Sequence, residues 1–431
     1  MNARLAAITP EQLHQAGQAI AALKHGPRAL RLALEICARC GICASQCQIS
    51  MVSPLSRVNP ARRSQEVRDV YAGKRRLTRA MLAGWVRDFY ECTTCRRCAV
   101  YCPLGIDNSL ITRKVRTILG GLGLTPCRIT DTQAASDKRG NNEGATESAI
   151  RDMVQFLESE LKEEHGIPIR IPLDEKGADV LFATASSEIM GRPENLMGCA
   201  TFFHAAGISW TMSTQAFDAA NFGLFSGDDA HMLRKNTRLH QACLDLGVKR
   251  LVIGECGHAY RVAKHMGGAT SRPGLPYAVT DIFSVAVDVL RRGGLRLDPS
   301  RNEARIVTYH DPCNFGRSGG IMEQPREVLR ACVPHFRELS PNRERNYCCG
   351  GGGGLSVLES AEGIDRESTM YEFRMKVSGR KKYEQIAASG ANYVVAPCFN
   401  CLRQIEQLMD YYNLDVSVGT VFELFDLAVL L

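Results

Sequence analysis

The chain lacks several signals that would place it in common classes of enzyme or membrane protein. No apolar run approaches the roughly 20 residues that a membrane-spanning helix needs, and even the C-terminal VFELFDLAVLL carries Glu423 and Asp426. No lysine follows the glycines at 350–354 and no G-x-G-x-x-G follows a predicted strand. A phosphate-binding loop and direct use of a nicotinamide cofactor are therefore not expected. The N-terminal segment also lacks the apolar core of a secretory signal.

Cysteine, by contrast, is abundant, at 18 of 431 residues. So many thiols fit a reducing compartment, and we expect a cytoplasmic protein. Eight of the cysteines form two runs with the spacing C-x-x-C-x-x-C-x-x-x-C, namely Cys37, Cys40, Cys43 and Cys47, then Cys92, Cys95, Cys98 and Cys102. This is the spacing with which bacterial ferredoxins hold two four-iron clusters.

In such paired runs the fourth cysteine of each run ligates the other cluster. We therefore expect two cubane [4Fe–4S] clusters, one held by Cys37, Cys40, Cys43 and Cys102 and the other by Cys92, Cys95, Cys98 and Cys47. Zinc knuckles or a disulfide framework are the alternatives, but zinc sites usually pair two C-x-x-C units. One position departs from the pattern, because Pro103 follows the second run whereas Gln48 follows the first.

Positive charge is concentrated between the two runs. The net charge is +7, and residues 51–90 carry nine basic against three acidic residues. A solvated helical face is one interpretation. The others are a docking face for an acidic partner or anionic lipid headgroups, and a positive field that raises the cluster potentials. Nucleic acid is not an expected partner, because no interleaved aromatic platform or recognised binding fold accompanies the charge.

Hydrophobic patterning divides the chain into four segments. Helical patterns around the two runs predict a helical ferredoxin-like domain at residues 1–124, followed by a polar linker at 125–150. Beyond it, short apolar runs alternate with helical stretches, which is typical of α/β layers. We therefore expect a multidomain α+β or α/β fold, with α/β domains at residues 151–300 and 301–431.

The two predicted α/β domains are similar to each other in sequence. LGVKRLVIGECGHA aligns with SGANYVVAPCFNC, and DVLFATASS aligns with RIVTYHDPC. The aligned pairs that matter are Cys256 with Cys398, Ala259 with Cys401, and Ser187 with Cys313. This indicates an internal duplication in which the second copy retains cysteines that the first has mostly lost.

The retained cysteines of the second copy form a third group, consisting of Cys313, Cys348, Cys349, Cys398 and Cys401. Each lies at or just after the carboxyl end of a predicted strand, which is where open α/β sheets bind ligands. Glycines 350–354 would let backbone N–H groups approach sulfur. His258 and His310 flank the same strand ends, either as structural side chains or as proton donors to a leaving thiolate.

This C…CCG…C-x-x-C set resembles the cysteine-rich CCG domain of heterodisulfide reductase catalytic subunits. The order of a ferredoxin module and two CCG copies resembles the fused form of that enzyme. CTTCRRCAVYCPLGID, DAANFGLFSGD and GECGHAYR are similar to segments of DsrK-type subunits, found in Dsr membrane complexes of dissimilatory sulfur metabolism. The resemblance implies that Cys313, Cys348, Cys349, Cys398 and Cys401 hold one noncubane [4Fe–4S] cluster at which disulfide chemistry occurs.

For function, the resemblance implies an oxidoreductase acting on sulfur groups. The cubanes would relay electrons to or from the noncubane cluster, which would reduce or form a disulfide or trisulfide on a small sulfur-carrier protein. A second expected partner is an integral-membrane cytochrome b-type or quinone-linked subunit, which would attach the protein peripherally to the inner membrane. The alternative is an electron-transfer subunit of a flavin dehydrogenase of the glycolate oxidase or anaerobic glycerol-3-phosphate dehydrogenase type, passing electrons to quinone.

Overall fold

A computed structural model describes residues 1–358 and 370–431. A helical N-terminal region is followed by two α/β regions, each built on a parallel sheet that contains four strands among the described residues. The predicted mixed α/β fold, with a helical ferredoxin-like module before two duplicated α/β domains, is confirmed. Within the described residues, no helix combines the length and apolar character needed to cross a membrane.

The N-terminal region packs its helices around an apolar core that includes Trp85, Phe89 and Val115. Its helices are α1 (Asn2–Ala6), α2 (Pro10–Ala21), α3 (Arg28–Glu35), α4 (Ile42–Gln46), α5 (Gln48–Val52), α6 (Pro60–Tyr71), α7 (Arg79–Tyr90), α8 (Arg97–Val100) and α9 (Asn108–Gly121). Thr9 caps α2 through its hydroxyl and Pro10 occupies the first helical position, as the sequence predicts.

The sequence favours an irregular connector at 125–150, whereas the structure places helix α10 (Cys127–Arg139) there, and α11 (Glu147–His165) begins within it. Ile129 of α10 is fully buried, and Ser136 accepts a hydrogen bond from Lys235 at 3.0 Å. Because α10 is held by few apolar side chains and by polar contacts, it carries little hydrophobic periodicity.

The first α/β region comprises β1 (Val180–Ala183), α12 (Ser186–Gly191), α13 (Pro193–Ala205), β2 (Trp210–Thr211), α14 (Gly223–Ser226), α15 (Asp229–Leu246), β3 (Arg250–Ile253), α16 (Gly257–Arg261), β4 (Ala278–Asp281) and α17 (Ile282–Arg291). The second comprises β5 (Ile306–Tyr309), α18 (Gly316–Gly319), α19 (Glu323–Cys332), β6 (His335–Arg337), α20 (Met370–Phe373), α21 (Arg380–Ala387), β7 (Tyr393–Val395), α22 (Phe399–Tyr411), β8 (Ser417–Gly419) and α23 (Val421–Ala428).

The two sheets have the same strand order, β2-β1-β3-β4 in the first and β6-β5-β7-β8 in the second. All of these neighbouring strands are parallel. The loops after the strands therefore gather at one edge of each sheet. The regions also share a core, in which Phe202 of α13 packs against Phe422 and Phe425 of α23. This common core holds the two carboxyl edges at a fixed spacing.

Candidate functional site

We call Cys37, Cys40, Cys43 and Cys102 the outer set. These four cysteines line one cavity that opens to the surface, where Cys40 is exposed. Burial raises the pKa of Cys43, and the nearby Cys37, Cys102 and Cys40 thiols add to the rise. The loop turns tightly by adopting left-handed backbone at Arg39 (φ 56°) and Gly41 (φ 82°). The structure thus brings together the four cysteines that sequence spacing assigns to one cubane.

We call Cys47, Cys92, Cys95 and Cys98 the inner set. Burial raises the pKa of Cys98 well above its usual value, and Cys47, Cys95 and Cys92 add to the rise. Left-handed backbone recurs here at Thr94 (φ 49°) and Arg96 (φ 65°), neither of which is glycine. Such conformations cost energy and are retained where a loop must wrap a bound group.

One buried arginine accompanies each set. Arg63 is 6% exposed, and although burial lowers its pKa, the Cys92 and Cys47 thiols more than offset this effect. Arg68 is 8% exposed, and burial lowers its pKa despite the opposing effect of Cys37. The Nε atoms of both arginines are buried without a hydrogen-bond acceptor among the described residues. Part of the basic stretch therefore faces the cysteines rather than solvent, which favours the positive-field interpretation for these two residues.

We call Cys313, Cys348, Cys349, Cys398 and Cys401 the CCG set. All five are buried at the carboxyl edge of the second sheet. Cys348, Cys349, Cys398 and Cys401 pack in one buried cluster, and interaction with the Cys313 and Cys349 thiols raises the pKa of Cys348 well above its usual value. Cys398 is the N-cap residue of α22, whose unpaired N–H groups favour a thiolate. The structure therefore gathers all five cysteines, from three separate segments of sequence, into one site.

The glycine run lies directly against these sulfurs. Gly350 N–H is directed at Cys348 Sγ and Gly351 N–H at Cys349 Sγ, each at 3.4 Å. Gly350 has φ +101°, and a Cβ there would lie 2.6 Å from Gly379. A larger residue is thus excluded, and the backbone supplies hydrogen-bond donors to thiolate sulfur.

The two histidines singled out from the sequence both contact this site. A ring nitrogen of His310 and the sulfurs of Cys349 and Cys401 lie within 4.8 Å of one another. Burial, and then the Lys382 charge, lowers the pKa of His310 to about 4, so the ring is neutral near pH 7. His258 Nδ1 lies 3.4 Å from Cys256 Sγ.

Cys256 of the first copy is buried and is the N-cap residue of α16, the position equivalent to Cys398 in the second copy. Contact with Cys401, and then with His258, lowers the pKa of Cys398 to about 5 against the effect of burial. Burial raises the pKa of Glu188 to about 7, and the nearby Cys398 adds to this rise. The carboxyl edge of the first copy therefore faces the CCG set. The remaining buried cysteines, Cys199, Cys243 and Cys332, lie in the hydrophobic core.

The inner set adjoins the CCG set, because Cys95 packs against the buried cluster that includes Cys348 and Cys349. A hydrogen-bonding contact with the Cys348 thiol raises the pKa of Cys95 well above its usual value. Arg317 braces this junction, because its Nε donates to Cys95 O and its Nη1 to Asn346 O, both at 2.7 Å. Sequence reasoning missed Arg317, since an arginine after HDPCNFG carries no distinguishing signal.

The chemistry of these donor sets fits iron–sulfur clusters. The cysteines of the three sets are free of disulfide bonds, and in the CCG set backbone N–H groups are directed at the Cys348 and Cys349 sulfurs. Thiolates are the protein ligands of such clusters, and hydrogen bonds to their sulfurs tune the potentials.

Comparison with known proteins agrees with this chemistry. The 4Fe-4S dicluster domain family matches residues 33–106, and the cysteine-rich CCG domain family matches residues 307–406. The chain is therefore an iron–sulfur protein of the CCG-domain class.

Several relatives span most of the chain. The Hdr-like menaquinol oxidoreductase iron-sulfur subunit of Archaeoglobus profundus is 28% identical over 92% of this chain and 79% of its own length. A dihydromethanophenazine:CoB–CoM heterodisulfide reductase subunit of Methanosarcina barkeri is 23% identical over 91% of this chain and 93% of its own. The EtfAB:quinone oxidoreductase of Syntrophomonas wolfei is 25% identical over 73% of this chain, but only 43% of that relative is covered. The chain is homologous to these oxidoreductases.

Proposed function

We propose that this chain is the iron–sulfur redox subunit of a heterodisulfide-reductase-like complex. In this proposal the outer and inner sets hold two cubane [4Fe–4S] clusters, and the CCG set holds one noncubane [4Fe–4S] cluster. The site reduces, or forms, a disulfide or trisulfide on a sulfur-carrier protein. The packing of Cys95 against the buried cluster that includes Cys348 carries the proposal, because it brings the relay cysteines next to the CCG set.

The arrangement supports a route by which electrons pass between the surface and the CCG set. The outer set lies beneath the surface, where Ile42 and Leu104 line its cavity and are 38% and 45% exposed. A redox partner would exchange electrons there, and the inner set would pass them to the CCG set. The names of the relatives, which include menaquinol and dihydromethanophenazine oxidoreductases, favour a cytochrome b-type or quinone-linked membrane subunit as that partner. The protein would then be cytoplasmic and peripherally attached.

Cleavage of one S–S bond consumes two electrons and two protons and yields two thiols. A noncubane cluster would supply one-electron steps and an iron site for sulfur. The chain supplies the surroundings, since Gly350 and Gly351 direct N–H groups at sulfur and thereby stabilise negative charge. The burial of Cys348 and Cys349 excludes water from the reacting sulfurs.

Within this class we favour a DsrK-type subunit of dissimilatory sulfur metabolism. Two of the segments that resemble this subfamily lie at the candidate sites. Phe225, in DAANFGLFSGD, accepts a hydrogen bond from Arg116, which also binds Cys92 O. Cys256 and His258, in GECGHAYR, face the CCG set. The subfamily resemblance therefore concentrates where the chemistry is proposed.

A second candidate function is supported by the similarity to EtfAB:quinone oxidoreductase. In that case the chain is the electron-transfer subunit of a flavin dehydrogenase complex, and the CCG set only relays electrons to quinone. The two candidates differ in whether the CCG set binds thiols.

The deciding experiment uses Cys348→Ser and, as a control that is equally buried but outside the set, Cys332→Ser. Anaerobically purified wild type and the control should contain about twelve irons and develop a thiol-dependent paramagnetic signal on oxidation. Cys348→Ser should lose that signal and disulfide turnover while its cubanes remain reducible. A wild-type spectrum that thiols never alter would refute the sulfur chemistry and favour the relay function.

A further inference from the structure

The residue that breaks the ferredoxin pattern connects the relay cysteines to the CCG set. Gln48 directly follows Cys47 of the inner set, is 1% exposed, and begins α5. Its side chain reaches the segment that carries Cys348, about 300 residues away in sequence. An amide at this position therefore has a structural partner that a proline could not have.

Both the oxygen and the nitrogen of the Gln48 side-chain amide form hydrogen bonds. Its Oε1 accepts from Cys348 N–H at 2.6 Å, and its Nε2 donates to Cys348 O at 3.1 Å and to Ser378 O at 2.5 Å. The Ser378 hydroxyl in turn donates to Gly350 O at 2.7 Å. One side chain thus fixes the backbone on both sides of Cys348 and, through Ser378, the start of the glycine run.

Comparison with the second cysteine run shows why only the first run has an amide side chain after its last cysteine. Pro103, at the equivalent position, is exposed and lines the outer cavity. Cys47, by contrast, belongs to the inner set, whose Cys95 packs against the buried cluster that includes Cys348. The amide therefore occurs on the run that meets the CCG set, and the ferredoxin proline is kept on the run that faces solvent.

We propose that Gln48 is a positioning residue that holds the Cys348 backbone against the Cys47 end of the inner set and so sets the rate of electron exchange between the inner and CCG sets. The proposal rests on the function proposed above. Electron exchange falls steeply with separation, and the contact joins two loops from different regions of the fold. The three hydrogen bonds of the buried Gln48 amide restrain the backbone at Cys348 and Ser378 relative to α5, which begins directly after Cys47 of the inner set.

The test compares Gln48→Met, which keeps the side-chain length but loses all three hydrogen bonds, with Gln46→Met as the matched control. The Gln46 side chain makes no hydrogen bond that the structure shows among residues 1–358 and 370–431, and it lies two residues before Gln48, at the end of α4. Anaerobic protein with full iron content is reduced rapidly, and freeze-quenched EPR follows the inner-set and CCG-set signals separately. Hydrogen–deuterium exchange of residues 345–353 gives a readout that is independent of electron transfer.

Gln48→Met should slow electron arrival at the CCG set by about tenfold, because displacements near 1 Å at reacting groups have effects of this size or larger. It should also speed amide exchange at Cys348, while Gln46→Met matches wild type in both. If Gln48→Met loses iron from the CCG set alone, that result would equally support a role of Gln48 in positioning Cys348. Gln48→Asn, which withdraws the amide by one methylene, provides the same test if Gln48→Met does not accumulate.

Wild-type rates together with wild-type exchange in Gln48→Met would overturn the assignment. Equal slowing in Gln46→Met would overturn it as well, since the effect would then belong to the loop as a whole. These outcomes are separable from the proposed function. If wild type turns over no disulfide, the proposed sulfur chemistry is wrong, but the rates of electron exchange between the two sets can still be measured. If wild type turns over disulfide and Gln48→Met exchanges electrons at the wild-type rate, the sulfur chemistry stands and only the role of Gln48 is wrong.

Discussion

Arg116 offers a sharp test of how the three regions are held together. This residue of α9 is fully buried, and its guanidinium donates to the carbonyl oxygens of Phe89, Cys92, Phe225 and Gly353 at 2.7–3.2 Å. These carbonyls belong to α7, the second cysteine run, the first α/β region and the glycine run. Arg116→Met should therefore loosen the junction between the inner set and the CCG set.

The expected loss follows from the hydrogen-bond geometry. Each hydrogen bond to a charged group contributes about 1.5–3 kcal/mol, and four buried carbonyls would lose a donor. Removing the buried charge itself offsets part of this, because burying an ion carries a desolvation penalty of several kcal/mol. A net destabilisation of about 4 kcal/mol is expected, equivalent to a fall in melting temperature of roughly 4–5 °C for a chain of 431 residues.

The assay is thermal unfolding of anaerobic protein, with iron content and EPR recorded on the same samples. The matched control is Arg113→Met, one turn earlier on α9, which removes an ion pair to the exposed Asp229 and should cost less than about 1 kcal/mol. Arg116→Met should also lose the inner-set signal before the outer-set signal on warming. If the two variants melt within about 2 °C of each other, the proposed role of Arg116 is wrong.

Three further predictions test the electrostatics and the ligand assignment. Cys102→Ser should abolish the EPR signal of the cluster held by the first run and keep that of the second, and the opposite selectivity would contradict the crossover. Arg63→Met should lower the inner-set reduction potential in an EPR redox titration by on the order of tens of millivolts. A unit charge contributes about 4 kcal/mol at about 4 Å in an effective dielectric of about 20 and less at larger separations, and about 1.4 kcal/mol corresponds to about 59 mV for one electron. Exposed Arg62→Met should leave the potential unchanged, and equal shifts in both variants would show that the two arginines act only as general surface charge. Because the folded protein keeps the Glu188 proton up to about pH 7 while the unfolded chain loses it near 4.5, stability should fall by on the order of 3 kcal/mol across that range. Glu188→Gln should flatten this dependence in unfolding measured from about pH 4.5 to 7, and an unchanged slope would show that another group titrates.

The parts of the site that follow from short-range chemistry could be predicted from the sequence. A cluster needs several thiolates within a few residues, so the two cysteine runs are readable from spacing alone. The α/β layers were predictable too, because buried parallel strands such as β3 and β7 are short apolar runs between helical segments. The alignment of Cys256 with Cys398 is consistent with their shared N-cap position.

Residues that act across long sequence separations were not predictable. Arg116 and Arg317 look like ordinary helical arginines, and only the folded chain reveals their carbonyl acceptors. Gln48 did carry a signal, as a departure from the ferredoxin pattern, but the sequence does not name Cys348 as its partner. Helix α10 was missed because hydrogen bonds to Lys235 and Arg238, rather than an apolar stripe, hold its Ser136 end. In each case the missing information is a polar contact, which leaves no periodicity.

The duplication accounts for the proposed division of roles between the two sheet edges. Both copies place a cysteine at the N-cap of the helix after the third strand. Burial raises the pKa of Cys256 well above its usual value, whereas interaction with Cys401 lowers that of Cys398 to about 5. In the first copy, however, Ser187 and Ala259 stand at the positions of Cys313 and Cys401, so Cys256 has no companion thiols of its own. Cys256 instead contacts His258, and the charge of Cys398 from the second copy helps to raise its pKa. A single buried thiol cannot replace a five-thiol set, and we therefore propose one noncubane cluster rather than two, with the first copy forming a wall of the proposed site.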